Sequence, residues 1–209
     1  MNKTKPVLIF FGDHKIDFKN KDYHDIEYYV ISELCKIPVP CKLLDIVSDY
    51  LLNMFKGKPL SRIMDIDNWY PVSLNNCMNS FNLPKKHILT IGPMGLNMVF
   101  TPHYISLPPI IYERVDWYSP HNREKVNLIR SYYNSVLSHF GGEYAVYADE
   151  QIWEKYFDEN IKTDGSVLSG FKQILQAYYG INKKSLFDYD HGKYPRYYID
   201  NFEDLNENN

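Results

Sequence analysis

A single compact mixed α+β (or α/β) domain, with a small central sheet and about four to six helices, is the fold class that the sequence predicts. Three observations predict it. A short continuous apolar run, Val7 to Phe11, lies between Pro6 and Gly12 and suits a buried strand. A long stretch from Ser119 to Phe140 carries apolar residues at helical spacing. Between them, roughly residues 60 to 118, prolines at 71, 84, 93, 102, 108 and 109 interrupt any long helix and leave room only for short strands.

The elements follow in order. Val7 to Phe11 is expected to enter the core as a strand. Ile26, Tyr29, Val30 and Leu34 recur at helical spacing from Tyr23 to Cys35, and Pro38 and Pro40 stop that helix. A second helical pattern runs from Lys42 to Phe55 and ends at Lys56-Gly57-Lys58-Pro59. Short strands are predicted at His87 to Ile91, Leu96 to Thr101 and Ile110 to Val115, with Gly92-Pro93-Met94-Gly95 as a turn between the first two. Ser119-Pro120 places a capping hydroxyl before a proline at the first helical position, and Val126, Ile129, Tyr133, Val136, Leu137 and Phe140 then mark the strongest helix. Gly141-Gly142 stops it. Tyr144 to Ala148 reads as a strand, Asp149-Glu150 as the acidic start of a further helix, and Ser166 to Tyr179 as another helix closed by Gly180. With no repeat or linker to divide the chain, residues 1–199 are expected to form one domain and residues 200–209 a loose tail with little to bury.

Composition excludes several classes of function. At 209 residues, with 44% hydrophobic and 23% charged residues, the chain has enough apolar surface for a true core. A net charge of -3 gives no broad basic footprint, which disfavours sequence-independent nucleic-acid binding. No apolar stretch approaches the roughly 18 residues of a membrane helix, so no membrane partner is expected. Cys35, Cys41 and Cys77 lack the spacing of a disulfide framework or a zinc ribbon and are expected to be reduced, mostly buried thiols. The apolar run near the start is too short for a signal-peptide core, and a cytoplasmic protein is the expectation. Neither GxxxxGK[ST] nor GxGxxG occurs, and Gly141-Gly142 follow a helix rather than open one, so no nucleotide cofactor is expected.

Two groups of residues are candidates for function. Asp13 and His14 follow the first predicted strand, and His139 ends the strongest helix. If these three converged, they could serve as the acid and base of a hydrolase. No metal-ligand pattern such as HExxH accompanies them. The second group is a surface. From Glu143 to Asp164, acids outnumber lysines and alternate with aromatics, and on a helix beginning near Glu150 the side chains of Glu150, Glu154 and Asp158 share one face. Such a stripe opposes its own helix by about 0.2–0.5 kcal/mol per like-charged pair, and a basic partner would relieve that repulsion. Tyr147, Asp149, Trp153 and Tyr156 would complete a partner-binding surface with aromatic anchors.

The acidic aromatic stripe, together with the lack of recognisable catalytic machinery, resembles the profile of the immunity proteins of bacterial polymorphic toxin systems. No motif of that class stands in the chain, and no residue role is carried over. The resemblance implies a compact cytosolic domain that binds a cognate protein toxin and neutralises it.

Overall fold

Apolar alternation along β1 (Leu8–Gly12) explains why the sheet forms around it. Leu8 and Phe10 face one hydrophobic cluster, whereas Phe11, with Ile9 beside it, faces another. A strand buried on both sides reads as a continuous apolar run and becomes a central strand. The computed structural model describes residues 8–18, 20–43, 45–47, 89–91, 98–102, 104–108, 110–111, 113–152, 185–189 and 193–206. Within them, β1 pairs with β4 (Ile105–Ser106) on one side and β5 (Ala145–Asp149) on the other. The sheet continues outward through β3 (Met98–Phe100) to β2 (Leu89–Ile91), and from β5 to β6 (Tyr197–Asp200). Its order is β2-β3-β4-β1-β5-β6, and every pairing is antiparallel.

The larger cluster lies where helices cover one face of this sheet. α1 (Tyr23–Leu34) starts at Asp22, whose side chain accepts from the backbone N–H of His24, and it buries Ile26, Val30 and Leu34 at spacings of four. Residues 41–43 and 45–47 are helical and add Leu43 and Val47 to the same cluster. α2 (Arg114–Trp117) is a single turn that buries Trp117 against Phe10 and Tyr147 at 4.7 and 4.8 Å, both edge-on. A short 3-10 turn, Pro120–Asn122, leads into α3 (Arg123–His139). Every apolar position that predicted this helix is buried: Val126, Ile129, Tyr133, Val136, Leu137 and Phe140. The chain is thus a mixed α+β domain. Among the described residues, no helix is long and apolar enough to cross a membrane.

Several expectations need correction. The strand expected at Ile110 to Val115 gives way to α2, which takes Arg114 and Val115, while β4 forms five residues earlier. Ser119 caps nothing through its side chain, and the proline after it begins a 3-10 turn instead of the α-helix itself. The supposedly loose tail is ordered from its first residue. Asp200 ends β6 in the core, Phe202 is buried, and α4 (Glu203–Asn206) follows. Cys35 and Cys41 are exposed: Cys35 lies seven residues after Tyr28 on the outward face of α1, and Cys41 opens the next helical segment. Cys77, the turn at 92–95 and the helix expected at 166–179 lie outside the described residues.

Candidate functional site

The Asp13-His14 loop and the double glycine form one junction. Gly141 has φ +77°, a conformation that glycine adopts without steric cost, and its N–H donates to Ser138 as the helix closes. Gly142 is glycine for lack of space, because a Cβ there would stand 2.2 Å from the carbonyl oxygen of Asp13. That closeness lets the half-buried Asp13 carboxylate accept from the N–H groups of Glu143 (2.8 Å) and Tyr144 (3.0 Å). Burial raises the carboxyl pKa, and the two backbone donors oppose that rise. Lys15 N–H, donating to Phe140 at 2.8 Å, completes the joint.

The two histidines point elsewhere. His14 accepts from the N–H of Ile16 at Nδ1 (3.0 Å), so its Nε2 carries the proton donated to the Thr101 carbonyl at 2.8 Å. Both ring nitrogens thereby serve to hold the loop against the end of β3. His139 pairs through Nε2 with Glu33 Oε2 at 2.7 Å, tying the end of α3 to α1. Hydrogen bonds from Lys36 and His139 lower the pKa of Glu33. Asp13, His14 and His139 therefore hold three separate structural contacts, and these hydrogen bonds join none of them to another. Among the described residues, no group of three or more His, Cys, Asp and Glu could hold a metal ion.

The expected partner surface divides. Tyr147 and Asp149 belong to the interior, which corrects their assignment as partner-facing groups. All five residues of β5 are buried, so the strand shows no polar face. The Tyr147 hydroxyl donates to Asp200, and burial pushes its pKa well above the usual tyrosine value. The Asp149 carboxylate receives Arg196 Nε at 2.7 Å and also caps the short helical segment Glu150–Ile152 by accepting from the N–H of Ile152. Glu150 opens that segment as expected. Trp153, Glu154, Tyr156 and Asp158 lie outside the described residues.

The strongest polar constellation escaped the sequence reading. Arg130 lies wholly buried in α3 and donates all five of its N–H groups: Nε and one Nη2 hydrogen to Asp200, one hydrogen from each Nη to Asp204, and the last Nη1 hydrogen to Asn127. The distances run from 2.5 to 3.0 Å. Burial opposes the charge on this guanidinium, but the hydrogen bonds to Asp200 and Asp204 raise its pKa overall. Asp200 also accepts from Tyr147 and from the N–H of Phe202, which takes a left-handed φ of 61°. The sequence signal was an arginine inside an apolar helical stripe, three residues before Tyr133 and four after Val126.

A second arginine cluster lies at the rim, where β5 ends. Arg196 stands opposite Asp149 across the β5-β6 pairing and donates to both of its carboxylate oxygens and to Gln151. Arg114, from α2, reaches the same carboxylate at only 3.5 Å. Comparison with known proteins adds no assignment: no family model, curated protein or solved structure matches the chain.

Proposed function

We propose that the chain is a protein-binding module of the immunity-protein kind, which engages a cognate toxin through an acidic, aromatic surface. The observation that supports this reading is the outer face of α1. Tyr28 is 78% exposed, whereas most of the described tyrosines are buried or half-buried in the two clusters. Asp25, also exposed, lies one turn before it on the same face, and Asp22 stands at the start of the helix. An exposed tyrosine beside the exposed Asp25 and the helix-capping Asp22 offers a rigid amphipathic anchor and an attraction for a basic partner. Glu150, Glu154 and Asp158 would extend the acidic surface. The hydrolase reading loses support because Asp13, His14 and His139 are each engaged in a separate contact.

The test is direct binding to the protein encoded next to this chain in its native genome, measured by surface plasmon resonance at two salt concentrations. Tyr28→Ala should weaken affinity by about 2 kcal/mol if the residue is a central anchor. Asp25→Lys should slow association and flatten its salt dependence. Absence of binding, or binding that both variants leave untouched, would remove α1 from the proposal. In the latter case, combined charge reversal at Glu150, Glu154 and Asp158 decides whether the acidic stripe carries the contact; unchanged on-rates there would sink the acidic-surface reading as a whole.

A further inference from the structure

We propose that Arg114, Arg196 and Tyr118 form a subsite for a small oxyanion, the phosphate or carboxylate group of a ligand. Arg114 and Tyr118 lie four residues apart at the two ends of α2, and Tyr118 N–H donates to the Arg114 carbonyl at 3.3 Å, so both side chains leave one side of a single helical turn. Each is short of partners among the described residues, and for different reasons. The Arg114 side chain is only 23% exposed, yet its one contact is the bond to Asp149 at 3.5 Å, beyond the usual range of about 2.7–3.2 Å for such bonds. A guanidinium so far removed from water normally has its donors matched. The Tyr118 hydroxyl is fully buried and has no hydrogen-bond partner among the described residues. An unmatched buried hydroxyl is an exception in folded proteins and keeps a donor free for a ligand group.

The surroundings determine the chemistry. The Tyr118 ring is fixed by stacking on Tyr194 (centroids 6.0 Å apart, planes at 15°) and by edge contact with Tyr189 at 5.9 Å. Tyr194 is two residues before Arg196, so the segment that holds the tyrosine also delivers the second guanidinium. Arg196 is half exposed, and Asp149 anchors it from below. Two guanidiniums thus share one buried carboxylate, with a hydroxyl donor on the same helical turn as one of them. Planar forked donors of this kind match the two oxygens of a carboxylate or a phosphate. A cation would meet like charge, and an apolar ligand would leave the hydroxyl unmatched.

The experiment is a titration of the full chain, labelled with 15N, in which the Arg114 and Arg196 Nε–Hε resonances are followed as sodium phosphate, sodium acetate or sodium chloride is added at matched ionic strength. Saturable shifts with phosphate or acetate and none with chloride are expected, and the arm that saturates more tightly tells whether the ligand group is a phosphate or a carboxylate. Arg114→Gln should weaken that affinity by about tenfold, the order expected for one charge-assisted hydrogen bond. Arg114→Lys should recover part of it, Tyr118→Phe should weaken it by a smaller factor, and Lys125→Gln, on the exposed side of α3, should leave it unchanged. If Arg114→Gln disturbs the fold, as judged by its amide spectrum, Tyr118→Phe carries the test alone. The proposal is overturned if the shifts follow ionic strength equally for all three salts, or if folded variants at both Arg114 and Tyr118 bind as tightly as the unaltered chain.

Discussion

Arg130 and Arg114 both leave helices that pack on the same face of the sheet, and both reach toward aspartates at strand ends, yet their surroundings differ. Arg130 is fully enclosed, and each of its N–H groups meets an oxygen. Arg114 is mostly enclosed and makes one long contact among the described residues. A guanidinium whose donors are all matched has nothing left to offer a ligand, and its role is to fix the register of the elements that it joins. Here it joins α3 to the end of β6 and to α4. A guanidinium with donors in hand, beside a hydroxyl in the same condition, is equipped to bind. The difference separates architecture from recognition more sharply than residue type does, since both clusters read alike as arginine, aspartate and tyrosine.

The largest expected effect tests the architectural half of that contrast. Arg130→Met removes a buried cation and leaves the Asp200 carboxylate enclosed with, among the described residues, the Tyr147 hydroxyl and the Phe202 N–H as its donors. Breaking a buried pair from one side typically costs about 3–5 kcal/mol, because the remaining charge is uncompensated. Equilibrium denaturation in urea should show a loss of that size. A loss under about 1 kcal/mol would mean that water reaches Asp200 and that the enclosure described for this network is wrong.

Legibility in the sequence followed the range of the interaction. β1 and α3 could be read from their own residues, because Leu8 to Phe11 and Val126 to Phe140 carry the pattern that buries them. β4 could not: it is two residues long and owes its existence to β1 and β3 on either side, a tertiary cause with no local trace. Tyr147 and Asp149 were misassigned for a related reason. An aromatic residue and an acid next to further acids look like surface, but β5 lies between β1 and β6 with both faces covered, and its acid is matched by an arginine 47 residues away. The partners of Arg130 lie 70 and 74 residues along the chain. No window along the sequence would show them together. The Gly141-Gly142 stop was legible as a helix ending, whereas the docking of the following Glu143 on Asp13, across 130 residues, was not.

A smaller effect sharpens the contrast within the Arg130 network itself. Asp200 is enclosed, whereas the Asp204 side chain is 42% exposed. The hydrogen bond from Arg130 lowers the Asp204 pKa below its ordinary value of 3.8. The folded chain therefore binds fewer protons than the unfolded chain between the lowered value and the ordinary one, and stability rises with pH across that window. The contribution is fully present above pH 3.8 and is lost as the pH falls through the lowered pKa. Solvent screening at a partly exposed pair keeps it to about 1 kcal/mol or less. Asp204→Asn should flatten the acid limb of a stability-against-pH curve below about pH 4 without changing its alkaline side. An acid limb equally steep in the variant would assign that proton uptake to another carboxylate.

The smallest expected effect belongs to the recognition half. Tyr118 is as deeply buried as Tyr147, and burial raises both hydroxyl pKa values well above the ordinary one, but among the described residues only the Tyr147 hydroxyl has an acceptor. Removing an unmatched buried hydroxyl sacrifices no hydrogen bond and relieves a desolvation cost. Tyr118→Phe should therefore leave stability unchanged or raise it by up to about 1 kcal/mol in buffer free of phosphate and carboxylates. Tyr147→Phe, which withdraws a donor from the buried Asp200 carboxylate, should lower it by about 1–3 kcal/mol in the same medium. Thermal denaturation of the two variants side by side gives the comparison without reference to any ligand. Equal losses would mean that the Tyr118 hydroxyl already has a partner within the folded chain, and the case for a group arriving from outside would then rest on Arg114 alone.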